Sequence, residues 1–202
     1  MHPRLVVLLL CASLLAAMQA EAKTTLPDAC GDDKITFDVS TEKNPAAPPP
    51  LAPGKARIVF SESLSESWLC VGCGTPTIRF GMDGQWVGAN QGKSYFYIDV
   101  APGAHDLCVG WQSFFGHERE NVGVNFVTAE AGRVYYFEAQ IEIHQHTSGG
   151  GGNRAWGGGG WGGGATNSST KTERSIDFVE LSIWDGQDRL NGWKLATWKI
   201  KK

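Results

Sequence analysis

Three groups of residues in this chain have types and spacings that could do chemistry. Glu142, His144 and His146 stand at alternate positions, and on a strand alternate side chains share one face, about 6 to 7 Å apart. A His-x-His pair on a strand can hold Zn²⁺ or Cu²⁺, with Glu142, His105 or His117 as a third ligand. The plainer reading is a solvated strand face running into a loop, because nothing in the sequence fixes that third ligand. Cys70-Val71-Gly72-Cys73 has the spacing of a redox pair or of half a zinc site. Arg154, Trp156 and Trp161 lie in a run of glycines that offers an indole nothing to pack against. Exposed aromatic faces suit sugars, peptides and membrane interfaces, whereas an unselected low-complexity insertion is the plainer account.

No set resembles a hydrolytic centre. Ser113 sits between Gln112 and Phe114 rather than among the small residues of a nucleophile elbow. The acids Asp99, Asp106, Glu118 and Glu120 have no partner that spacing assigns. The glycines of 149–164 lack the Lys-Ser/Thr ending and following helix of a phosphate-binding loop.

The compartment is read from the first residues. Arg4, an apolar run from Leu5 to Ala17 and Ala20-Glu21-Ala22 have the order of a secretory signal peptide, cleaved after Ala22 or Ala20. Cys11 follows Leu8-Leu9-Leu10 where lipid attachment wants a small residue, so lipidation is the weaker reading. The apolar run is shorter than the roughly 20 residues of a spanning helix, and the mature chain is expected to have no transmembrane segment. Cleavage removes one basic and one acidic residue, leaving the net charge at −3. That balance offers nucleic acid no basic face.

Cys30, Cys70, Cys73 and Cys108 survive cleavage. An even count in an oxidising compartment reads first as two disulfides, with three connectivities open. Bridges from the Cys70/Cys73 loop to Cys30 and to Cys108 would tie the N-terminal arm to the body. A redox pair would open a helix, but Gly72, Gly74 and Pro76 surround this one. Zinc would need a second close ligand pair.

The elements that must position these groups are short strands. After a proline-rich arm over 23–54, read as a polyproline spacer with a short strand near Lys34–Val39, Arg57-Ile58-Val59-Phe60 begins the strand pattern. Asp83-Gly84 is a strong hairpin signal between Thr77–Phe80 and Gln85–Gly88. Alternation then places Phe96, Ile98 and Val100 on one face with Tyr95, Tyr97 and Asp99 on the other. It likewise groups Leu107, Val109 and Trp111, then Val122, Val124 and Phe126, then Tyr135, Phe137, Ala139, Ile141 and Ile143, each as a core face. Eleven glycines among the sixteen residues 149–164 make the 148–165 segment a mobile hairpin tip between Phe137–His146 and Lys171–Trp184. Asp185-Gly186-Gln187-Asp188 reads as a turn, and Leu190–Ile200 fits helix or strand.

The order of Lys55–Phe60, the Asp83–Gly88 hairpin, Ala101-Pro102-Gly103-Ala104-His105 and Ala131-Gly132-Arg133-Val134-Tyr135-Tyr136 resembles the bacterial domain-of-unknown-function family 2846 over roughly residues 55–185. The Pro-Gly-Ala-His turn also resembles the PEGA module, a surface-exposed sandwich related to transthyretin-like folds. Either resemblance implies a secreted, lipid-anchored or surface sandwich without established catalysis.

Together these readings describe an all-β chain: a signal peptide over 1–22, an arm over 23–54, and a transthyretin-like or Ig-like antiparallel β-sandwich over 55–202 with its long glycine-rich loop. The expected function is a non-catalytic binding or envelope-associated interaction module, periplasmic or extracellular, with an envelope protein or polysaccharide as partner. No cofactor is expected, and the oligomeric state is not legible. The alternative is a small metal-dependent or hydrolytic enzyme centred on His144 and His146.

Overall fold

The computed structural model describes residues 29–64, 75–112, 121–148 and 169–201, with the backbone alone for 143–148 and 169–174. In chain order the strands are β1 (Phe37–Glu42), β2 (Ala56–Glu62), β3 (Thr77–Met82), β4 (Gln85–Gln91), β5 (Ser94–Val100), β6 (Gly103–Trp111), β7 (Val122–Ala129), β8 (Val134–Ser148) and β9 (Ser169–Leu181). A short helix, α1 (Ile183–Leu190), leads to β10 (Lys194–Ile200). They form two sheets, sheet A in the order β1-β10-β5-β2-β8-β9 and sheet B in the order β4-β3-β6-β7. Most neighbours are antiparallel; β2–β8 and β10–β5 run parallel.

The alternating pattern accounts for the core. Ile58 and Phe60 of β2, Phe96 of β5, Phe137 of β8 and Phe178 of β9 meet Ile78 and Phe80 of β3 and Leu107, Val109 and Trp111 of β6. The phenylalanines pack ring to ring, with centroids 5.1 Å apart for Phe60 and Phe96 and 5.3 Å for Phe60 and Phe80. Such offset contacts add to the area term that holds two sheets together. At the β3–β4 turn Asp83 and Gly84 have φ of 51° and 80°, the left-handed pair that a two-residue hairpin requires and that Asp-Gly supplies at low cost.

Three expectations change. Val122, Val124 and Phe126 do not face the core: Val124 is 56% and Phe126 73% exposed, while Val127 and Ala129 are buried. The β6–β7 register decides this, because Leu107 and Val109 stand opposite Asn125 and Gly123, and paired residues share a face. At Gly123 the β9 backbone passes so close that a Cβ would lie 3.0 Å from the Ile176 carbonyl oxygen, so a larger inward residue has no room.

The 185–188 turn is part of α1. Ser182 caps it, its Oγ accepting from the Asp185 N–H at 3.1 Å and donating to the Asp185 carboxylate at 2.6 Å, a cap that satisfies an orphan donor of the first turn. Gly186 then lies against the Tyr136 ring.

The arm is not a free spacer where it is described. Its β1 pairs with β10 from Phe37↔Ile200 to Glu42↔Leu195, and the residues on either side of β1 cover opposite outer faces of the sandwich. The long β8–β9 hairpin pairs regularly from Tyr136↔Leu181 to Ser148↔Ser169, as its flanking patterns predict.

Candidate functional site: a cleft on the outer face of sheet A

Alternation along β5 turns Phe96 inward and Tyr95 and Tyr97 outward. On the far side of sheet A these tyrosines join Val59 and Tyr136 in a second apolar cluster, packed against by Leu181 of β9, Leu190 of α1, Trp193 of the following turn and Leu195 of β10. Beside it, Arg57 forks onto Asp99, with Nε to Oδ1 at 2.6 Å and Nη2 to Oδ2 at 3.0 Å. The same guanidinium lies 4.5 Å over the Tyr97 ring and donates to the Pro49 carbonyl at 2.8 Å. This bond pins the proline-rich segment to the sheet. The hydrogen bonds from Arg57 hold the Asp99 carboxyl below its usual range.

Between that pinned segment and the α1–β10 turn lies a cleft of about 300 Å³, at the small end of the range for small-molecule sites. Asn44–Pro48 form one wall, Leu190–Trp193 the other, and Tyr95 also lines it. Tyr95 is 4% exposed, and burial raises its phenol pKa, with a smaller contribution from Tyr97. A concave lining that mixes apolar surface with a few neutral polar groups can hold and orient a ligand. Among the described residues, no carboxylate, imidazole or thiol lines the cleft.

Other titratable groups serve the fold. His105 Nδ1 is 2.7 Å from Asp83 Oδ2 and Nε2 is 2.9 Å from the Ala101 carbonyl oxygen. Both partners accept, so the doubly protonated ring suits the site. Partial burial opposes the charge, but the Ala101 carbonyl and the Asp83 carboxylate outweigh it and raise His105 above its usual value. This histidine therefore latches the β3–β4 turn to the β5–β6 turn. Glu138, on the outer face of sheet A, accepts from Gln140 at 3.2 Å and pairs with Arg189 at 3.5 Å. Glu62 is fully buried. Its Oε1 accepts from the Leu64 N–H at 3.0 Å, its Oε2 has no hydrogen-bond partner among the described residues, and desolvation pushes its pKa up to about 8.

Of the connectivities open from the sequence, the structure excludes bridges from the Cys70/Cys73 loop to Cys30 and to Cys108. Cys30 is bonded to Cys108 itself, because the arm runs over the outer face of sheet B. There Ala29 and Cys30 lie against Gly81, the register neighbour of Cys108. Cys70 and Cys73 lie outside the described residues, as do His117, Arg154, Trp156 and Trp161.

Glu142 is exposed on β8. His144 and His146 stand opposite Glu173 and Lys171 in the β8–β9 ladder, and their side chains are outside the description. Among the described residues no group of three or more His, Cys, Asp or Glu is placed to hold a metal ion, and no helix is long and apolar enough to cross a membrane.

Sequence reasoning missed the cleft because its walls come from residues about 150 positions apart. A signal was present in Tyr95 and Tyr97, aromatic side chains on the face of β5 that alternation assigns away from the core.

A family model described as a protein of unknown function, DUF2846, matches residues 52–153. No curated protein and no solved structure matches the chain.

Proposed function

The chain belongs to the DUF2846 family, and from that premise we propose that it is an exported module that binds a ligand of the cell envelope and does not transform it. The observation that carries this reading is the cleft between Asn44–Pro48 and Leu190–Trp193. It is concave, aromatic and lined without an acid, a base or a nucleophile poised at neutral pH. Export is supported by the Arg4, Leu5–Ala17 and Ala20-Glu21-Ala22 order. The Cys30–Cys108 bond also fits an oxidising compartment.

Affinity capture tests the reading. Mature chain, wild type and Trp193→Ala, is immobilised and exposed to a solubilised envelope extract and to its polysaccharide fraction. Retention by wild type that is lost in the variant is the expected result. Equal retention by both moves the site away from the cleft, and release of a chemically altered ligand shows catalysis instead.

A further inference from the structure

We infer that the cleft takes a neutral saccharide, an inference that rests on the cleft being the binding site. Its polar groups are of one kind. The Tyr95 hydroxyl makes no hydrogen bond to the described residues and, although the residue as a whole is 4% exposed, it is not among the polar atoms cut off from solvent. A ligand that covered this hydroxyl without bonding it would carry an uncompensated desolvation cost. The carboxamides of Asn44 and Asn191, one on each wall, also make no hydrogen bond among the described residues. Each carboxamide offers two donors and an acceptor, and the phenol offers one donor with acceptor capacity.

Among the described residues, no Lys, Arg, His, Asp or Glu lines the cleft. Arg57, which pins the proline-rich wall, is committed to Asp99 and to the Pro49 carbonyl. A charged ligand would therefore lose hydration and find no counter-charge in that lining. A purely apolar ligand would leave the phenol and both amides unpaired.

A sugar answers each feature. Its hydroxyls both donate and accept, matching two amides and a phenol, and its C–H faces pack against aromatic rings such as the half-buried Trp193. Pro45 and Leu190 supply the remaining apolar contact. A proline-rich peptide is the less fitting occupant, because peptide of that composition already forms one wall.

Full mature chain is titrated calorimetrically with neutral oligosaccharides, namely β-1,4-linked N-acetylglucosamine oligomers and maltooligosaccharides. A peptide of sequence Asn44–Pro50 and a polyanionic saccharide run in parallel. Tyr95→Phe removes only the hydroxyl, so its Tm should hold or rise, while affinity for the neutral sugar falls about tenfold, a loss of roughly 1.4 kcal/mol. Asn191→Ala changes an exposed side chain, should fold as wild type, and should weaken binding similarly.

No heat with any neutral saccharide at millimolar concentration overturns the inference. If the peptide or the polyanion binds and Asn191→Ala abolishes it, the cleft stands as the site and the saccharide assignment falls. If a neutral saccharide binds equally to wild type and both variants, the cleft itself is the wrong site.

Discussion

Both outer faces of the sandwich are covered by the same stretch of chain, the residues before β2, but by different means. Over sheet B the cover is locked. Cys30 is bonded to Cys108, Arg79 donates to the Asp33, Ile35 and Trp111 carbonyls, and Trp86 Nε1 donates to the Asp32 carbonyl at 2.8 Å. Gln112 exchanges two hydrogen bonds with the Phe37 backbone, at 2.6 and 2.8 Å, as a strand neighbour would. Over sheet A, among the described residues, one hydrogen bond from a side chain of the sheet holds the proline-rich segment, from Arg57 to Pro49, and a cleft remains beneath it. Prolines lack the N–H groups that a ladder needs, so this composition cannot seal a sheet face as the first segment does. A locked cover stabilises; a loosely held one leaves a site.

The largest way to break the contrast is to cut the lock. The Cys30–Cys108 bond joins residues 78 apart, and closing a loop of that length restricts the unfolded chain by roughly 4 kcal/mol. The double variant Cys30→Ser with Cys108→Ser should lose about that much in denaturant unfolding under oxidising conditions. It should also expose Lys34 to trypsin while leaving any cleft ligand bound. Loss of both together would mean that the two covers are one cooperative unit.

pH separates the two covers from the core that lies between them. Glu62 has a folded pKa of about 8 against an ordinary value of 4.5. The folded state therefore keeps a proton that the unfolded chain has released. Its contribution is fully present below about pH 4.5 and is lost as pH rises toward 8, with a slope of up to about 1.4 kcal/mol per pH unit. His105, also raised, acts in the same direction: its stabilisation is complete below 6.5 and lost above its folded value. Denaturant midpoints should thus fall between pH 5 and 8, and Glu62→Gln should remove most of that fall. Asp99, whose pKa is lowered by Arg57, has the opposite sign and weakens the sheet A cover only in acid. The carbonyls that hold Arg79 do not titrate.

A smaller change sharpens the difference between the covers. Arg57→Ala removes the fork to Asp99 and the one bond to Pro49. Asp99 is partly exposed and its pairing is screened by solvent, so the stability loss should be about 1–2 kcal/mol. Tryptic cleavage at Lys43 and Lys55 should nevertheless accelerate markedly, because those residues flank the loosened segment. Cleavage at Lys34, under the locked cover, should not change.

What the sequence made legible follows from the range of each signal. Period-two alternation is local, and it placed Phe96 inward, Tyr95 outward and Cys108 away from Leu107 and Val109. Asp83-Gly84 carries its own backbone geometry, and the hairpin formed there. The Ser182-x-x-Asp185 cap was also in plain view, but Gly186 directly after it made 185–188 read as a turn. Pairing between distant segments leaves no local trace. Neither the choice of Cys108 as the partner of Cys30 nor the lining of one cleft by Asn44 and Asn191 could be read from spacing. The metal and tryptophan-loop readings rest on residues whose side chains lie outside the description.

The β7 face shows why alternation alone does not choose a side. Val122, Val124 and Phe126 are the more apolar set, yet Gly123, Asn125 and Val127 turn inward, because β9 crosses close to Gly123 and the Phe178 carbonyl accepts from Asn125 Nδ2 at 2.9 Å. Adjacent substitutions test that assignment. Phe126→Ser removes a large apolar side chain that is 73% exposed, and stability should stay within about 0.5 kcal/mol. Val127→Ser, one residue on, puts a hydroxyl into the core and deletes methyl contacts, and should cost roughly 2–4 kcal/mol. The reverse order in urea unfolding would mean that β7 pairs one residue out of this register, which would flip its whole face.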